Sequence, residues 1–275
     1  MADQFYPVEK TTKKVSLAVR VIDDYTLREP VGRIKVGIKE TLAGPVKNLS
    51  GYYVFTDLPP GNYVVVVASQ YYFTGEEPVN TGVIDAKNPV LHVSLTPHSA
   101  YPFAGGAALI MGLVRGAAGK CLAEAGVQAV VTGPEEAGKA KLSKNPVKAG
   151  DRTVLLADIA GELMTGDLLM IKDANKARNE VIQIVPPLPV NPAVQPFSLA
   201  SPLKFDHPVK TLLMPVLDTW TNDKGEFVIY FRTLKADKFD VSLQVKHPNY
   251  QTFNREVEIT ADKQVSLGEI QLTTA

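Results

Sequence analysis

The stretch that most restricts how this chain can fold is SGYYVFTDLPPGNYVVVVA, Ser50 to Ala68. Aromatic and β-branched residues suit a pleated, half-buried surface, so both flanks of Pro59-Pro60-Gly61 read as strands. Proline at position 60 presets φ for a turn and Gly61 accepts the positive φ that follows, which predicts a type II turn. Two strands therefore meet at a stiff corner, with Phe55 and Leu58 as the plugs beneath it. Neighbouring strand residues point to opposite faces, so only one of Tyr52 and Tyr53 can enter a core, and the same holds for Tyr71 and Tyr72. The valines after Tyr63 divide the same way, leaving the first module with an apolar outer face of the kind that marks an interface.

The surrounding chain repeats the theme. After a polar tail (1–14), Val15 to Ile22 and Gly32 to Lys39 read as strands, followed by the Ser50 to Ala68 pair, Gln70 to Phe73, a polar loop, Val83-Ile84 and Val90 to Leu95. About seven short strands with turn signals between them and no helical period predict a β-sandwich over residues 15–97. A proline-containing linker (98–107) follows. The pattern then restarts: Leu109 to Arg115 matches the first strand, Ala125 to Val131 the Gly32 strand, Asp223 to Phe231 the Gly51 strand and Phe239 to Lys246 the Tyr63 strand, with Tyr250 standing where Tyr72 stands. Thr233 to Lys238 replaces the proline corner, which predicts a looser turn. The second sandwich is thus split, 108–138 and 217–275. Residues 139–216 between its parts carry five more strand-like runs and Gly-Asp turns, too long for a bare loop, and read as an inserted β domain. The fold class expected is all-β: two antiparallel seven-stranded β-sandwiches, the second interrupted by a small β-barrel-like domain.

These residues carry two resemblances. The Ser50 to Ala68 stretch with its following Tyr72, and the second copy's AGVQAVVTG and NDKGEFVIYF, resemble the carboxypeptidase regulatory-like domain, a transthyretin-like sandwich; together the copies span about 165 residues. That resemblance implies a seven-stranded fold used as a non-catalytic module. The insert, AGDRTVLLADIAGELMTGDLLMIKDANKARNEVIQI with FDHPVKTLLMPV, is similar to small β modules of phage tails and related contractile injection particles. It implies a component of a large assembly.

Charge and composition narrow the function classes. Lys plus Arg and Asp plus Glu balance at 29 each, so no net field draws the chain to nucleic acid. The first fourteen residues lack the apolar run of a secretory signal peptide, so synthesis in the cytoplasm is expected, with export, if any, inside a released particle. The apolar run from Phe103 to Val114 is too short to span a bilayer, so no membrane insertion is expected. The lone Cys121 excludes an internal disulfide.

No chemistry stands out. His92 reads as a pleat residue, His98 as a linker residue, and His207 and His247, each before a proline, as loop residues. No pair of histidines stands at metal-ligand spacing. Asp23, Asp24 and Asp57 lack the spaced oxygens of a calcium loop and read as turn residues. Gly112, Gly116 and Gly119 lack the following helix that a phosphate loop requires. The chain is therefore expected to be no enzyme, with no cofactor and no metal, and a small-molecule ligand is disfavoured. Interaction candidates are Tyr52, Tyr53, Tyr71 and Tyr72, the PxxP spacing Pro186 to Pro189 with its polyproline II tendency, and Trp220, which reads foremost as a core or inter-domain plug. The first reading is a structural or adaptor protein whose partners are other subunits of a larger assembly, with a contractile injection particle as one setting. The alternative is a carbohydrate- or cell-surface-binding module in which Tyr52, Tyr71 or Trp220 stacks on sugar.

Overall fold

The computed structural model describes residues 13–275 apart from 40, 42–43, 144, 193–194 and 233–235. The chain is all-β and divides into two compact units, 1–102 and 103–275.

In the first unit, β1 (Val15–Asp23), β3 (Val46–Lys47), β4 (Tyr53–Thr56) and β7 (Val90–Leu95) form one sheet in the order β3-β4-β1-β7. The strands β2 (Lys35–Ile38), β5 (Asn62–Ala68) and β6 (Gly75–Asn80) form the other, in the order β2-β5-β6. Alternation sets the faces: Leu17, Val19, Val21, Phe55, Val65, Val67, Val93 and Leu95 are buried between the sheets. The Pro-Pro-Gly corner carries the chain from one sheet to the other. Its turn differs from expectation, because the residue with positive φ is Asp57 (57°) and Gly61 is not among them. Thr81 pins the corner instead: the Gly61 N–H donates to Thr81 Oγ1 (3.0 Å), and Thr81 N–H returns a bond to the Gly61 carbonyl (2.9 Å). The strand β6, Gly-Glu-Glu-Pro-Val-Asn, lies in what the sequence presents as a polar loop, while Val83-Ile84 is turn. A sheet-edge strand pairs on one side only, which admits Pro78 and charged side chains.

The second unit repeats this pairing. β8 (Leu109–Arg115) lies between β17 (Glu226–Tyr230) and β20 (Gln264–Gln271), as β1 lies between β4 and β7. Opposite it, β9 (Gly126–Gly133), β18 (Lys238–Lys246) and β19 (Phe253–Thr260) follow the order of β2, β5 and β6. Even an isolated bridge recurs, Tyr72 with Pro97 and Tyr250 with Thr274. Neither sandwich is wholly antiparallel, however: β1 pairs with β7, and β8 with β20, in parallel. The seventh strand of this sheet pair, β16 (Leu212–Trp220), runs beside β9.

Between β9 and β16 the remaining strands are β10 (Ala140–Leu142), β11 (Thr153–Val154), β12 (Leu156–Ala157), β13 (Leu168–Lys172), β14 (Glu180–Val185) and β15 (Phe197–Leu199). β11 and β12 are two halves of one bent strand: the first pairs with β15, the second with β10. The ring β16-β13-β14-β15-β11/β12-β10-β16 therefore closes, giving a small barrel filled by Leu142, Leu156, Leu169, Ile171, Ile184 and Leu213 among others. The barrel has no separate wall where it meets the sandwich. Leu168 and Val216 face each other across β13 and β16, and the same Val216 faces Val130 of β9. Along β16, Leu213 fills the barrel while Met214 fills the sandwich. The turn expected at 233–238 lies partly outside the described residues.

Candidate functional site

Three of the sequence candidates converge at one end of the first sandwich. Asn48 organises the turn before β4: its carbonyl accepts the Gly51 N–H (3.1 Å), its Oδ1 accepts the Tyr52 N–H (2.9 Å), and its own N–H donates to the Tyr52 carbonyl. Gly51 completes the turn at φ +81°. This places Tyr52 and Tyr53 on opposite faces, each carrying a cation: the Arg20 guanidinium lies 5.2 Å from the Tyr52 ring centre and Lys47 Nζ 5.4 Å from that of Tyr53. Tyr71 packs flat over Gly32, where an added Cβ would come within 2.7 Å of its ring. All three rings are half-buried rather than free.

Beneath Tyr53 lies a cleft of about 240 Å³ lined by Arg20, Val21, Glu29, Pro30, Gly32, Arg33, Ile34, Lys47, Gly51 and Tyr53. Arg20 is fixed at one end, donating from Nη1 to the Ser50 carbonyl at 2.6 Å. Lys47 pairs with Glu29 at 2.7 Å. Hydrogen bonding to Lys47, and its charge, hold the Glu29 carboxyl below the usual carboxylate range, with Arg20 adding to the effect. A carbon placed on Gly51 would lie 3.5 Å from Arg20 Nη1 and 3.7 Å from Glu29 Oε1, so donor and acceptor flank the same bare backbone. Arg33 is exposed at the cleft and enters no hydrogen bond or ion pair with a described residue. Three cations against one carboxylate leave two positive charges in a concave site, the arrangement that draws an anion. It offers binding, with neither a nucleophile nor a base beside one.

The other candidates separate. Tyr72, named for the surface, is 2% exposed and is corrected to core: its hydroxyl donates to Asp23 Oδ2 (3.0 Å) and accepts the Val31 N–H (2.9 Å). Tyr101 donates to the same oxygen at 2.6 Å, and Asp23 Oδ1 accepts the Tyr25 N–H at 2.8 Å. Burial, with the Asp23 charge, raises the phenol pKa of both tyrosines well above their usual value. Asp23 is thus a satisfied structural acid rather than a surface turn residue. Trp220 is 43% exposed, on the outer face of its sheet opposite Gly126, and so is not a core plug. Pro186 and Pro189 stand at the barrel, where Leu188 packs against the core. They share no site with the tyrosines.

The largest correction concerns His207. Read from sequence as a loop residue, it is fully buried in the barrel, its ring held between Asp173 (Nδ1 to Oδ2, 2.9 Å) and Glu180 (Nε2 to Oε1, 2.9 Å). Glu180 also accepts the N–H groups of Lys204 (2.9 Å) and Phe205 (3.2 Å), and Asp173 that of Asn175 (2.8 Å). Each ring nitrogen thus meets a carboxylate oxygen, and the two acids clamp the imidazole from either side. Nothing next to it in sequence points to this role, because its partners lie 34 and 27 residues away. Among the described residues no group of three or more His, Cys, Asp or Glu side chains is placed to hold a metal ion, and no helix is long and apolar enough to cross a membrane.

The sequence matches no family model and no curated protein. Among solved structures, a streptococcal ancillary pilin aligns over 94% of this chain and 69% of its own at 8% identity with a TM-score of 0.28. The shaft pilin SpaA of Lactobacillus rhamnosus GG aligns over 96% and 98% at 7% identity and 0.26. BcpA, the major pilin subunit of Bacillus cereus, aligns over 96% and 100% at 8% and 0.23. Likenesses this weak carry no argument about what the chain does.

Proposed function

We infer that this chain is a non-catalytic subunit of a larger protein assembly, and that the basic cleft of the first sandwich receives an acidic group of a neighbouring subunit. The observation that carries the reading is the unneutralised Arg33 beside a restrained Arg20, in a pocket open to solvent. A phage-tail-like particle is one setting, the one the barrel's resemblance implies. The test is purification of the protein from its native source with negative-stain microscopy. Wild type is expected in multi-subunit particles and an Arg33→Glu variant outside them; wild type found only as a free monomer overturns the reading.

A second reading is favoured by Glu29. The Glu29 carboxylate can accept a sugar hydroxyl, the cations can hold a carboxylate and Tyr53 supplies a ring face, so a carboxylated sugar fits the pocket as well. Calorimetric titration with glucuronate, against glucose and an acidic peptide, separates the two: glucuronate alone binding, with loss of affinity at high salt, selects the sugar.

A further inference from the structure

We propose that each sandwich is a mechanical clamp, built to carry tension along the chain. In the first, β1 is the opening strand and β7 the closing one, and they lie side by side in parallel, Ala18 to Asp23 facing Val90 to Leu95. Backbone bonds mark both ends of this ladder: Ala18 N–H to the Pro89 carbonyl (2.8 Å) and Asp24 N–H to the Leu95 carbonyl (3.1 Å). In the second, β8 and β20 run the same way, from Leu109 facing Gln264 to Arg115 facing Gln271 with a bulge between Ser266 and Glu269, bounded by Leu109 N–H to the Lys263 carbonyl (3.4 Å) and Leu272 N–H to the Arg115 carbonyl (2.8 Å).

The geometry decides how such a ladder fails. Parallel strands have their starts at the same end, so the chain enters at one end of the clamp and leaves at the other. Tension then acts along the strands, across every rung at once, and slides one strand past its neighbour. Every rung is strained together and none can open before the rest. Pulling the same two strands apart from one shared end would open the rungs in sequence, each held by a single bond's modest net free energy. The core side chains that interleave beneath the ladder, Leu17, Val19, Val21, Val93 and Leu95 in the first unit and Leu109, Ile110, Val114 and Ile270 in the second, resist the same sliding.

The barrel lies outside the path of the load. It joins the second sandwich between β9 and β16, both of which lie in sequence between β8 and β20. While the clamp holds, tension passes from β8 directly to β20, and the barrel bears none.

Force spectroscopy on the full chain tethered by its two ends tests this. Two rupture events are expected. The first clamp encloses about 80 residues and the second about 160, which at ~3.5 Å per residue, less the folded span, release about 250 Å and about 540 Å. No length from the barrel should appear before the second clamp breaks. The control changes the direction of load and leaves the fold intact: in a Cys121→Ser background, a Lys87→Cys anchor just before β7 is pulled against the N-terminus, so that β1 and β7 are loaded from their shared end. The first sandwich should then open at several-fold lower force. Equal rupture forces in the two geometries, or barrel length released first, would overturn the proposal. The readout does not involve the basic cleft, so an Arg33 variant that loses its partner leaves it unchanged.

Discussion

Gly225 shows how much one residue decides. The Asn222 turn repeats the bonds of the Asn48 turn, with the Gly225 N–H donated to the Asn222 carbonyl (2.8 Å) and the Glu226 N–H to its Oδ1 (3.0 Å). A Cβ on Gly225, at φ +76°, would meet the Val114 carbonyl oxygen at 2.5 Å. Gly225→Ala is expected to cost about 2 kcal/mol or more, measured by urea unfolding, and Gly51→Ala about 1 kcal/mol, since there the nearest atom is 3.5 Å away. The Asn-x-x-Gly spacing of this turn stands in the sequence twice, as NLSG and NDKG. His207 is the opposite case, because nothing nearby in sequence announces Asp173 or Glu180. Replacing it, His207→Leu, takes the shared partner from the buried Glu180 carboxylate and the half-buried Asp173, and a clearly lower unfolding midpoint is expected. Calorimetry should show that drop in the second unit alone.

At the scale of elements, period-two patterning made most strands legible: β1, β2, β5, β7 and β18 fall where alternation of Val, Ile, Leu and Tyr places them. What escaped was set by position in the sheet. β6 needs little propensity because β5 supplies its register, and the parallel course of β7 and β20 is a matter of long-range pairing that local pattern does not encode. The cleft was half legible. Adjacent tyrosines signalled a divided face, but Arg20, Glu29, Arg33 and Lys47 come from β1, the β1–β2 connection and β3, and their meeting is a product of the fold. β16 carries a testable flaw of its own: Thr219 is buried against the sandwich core with its hydroxyl unpartnered. Thr219→Val keeps the shape and removes the unmet polar atom, and should raise stability by about 1 kcal/mol, read as a higher urea midpoint with unchanged slope.

For the whole molecule, alkali acts on the tyrosine pair of the first unit, while acid releases carboxylates in both units. Tyr72 and Tyr101 have phenol pKa values raised on folding, so their contribution is complete below ~10, the unfolded value, and is lost as pH rises beyond it. In the barrel, hydrogen bonds from Asn175 and His207 lower the Asp173 pKa, and those from Ala149 and Lys148 lower that of Asp206. Their contribution is present above ~4 and is lost as pH falls through the lower folded values. Tyrosinate absorbance should therefore show two of the ten tyrosines titrating only as the first unit unfolds, while in acid amide NMR should show the surroundings of Asp173 and Asp206 loosening.

The pairing of first strand with last has a further consequence during synthesis. β1 finds β7 after about 80 residues, but β8 must wait for β20, with the whole barrel made in between. At ~5–20 residues per second, the second sandwich stays open on its β8 edge for about 8–30 s after that strand leaves the ribosome. The barrel, whose strands are all complete by β16, can close within that interval and hold β9 and β16 in register for the strands still to come.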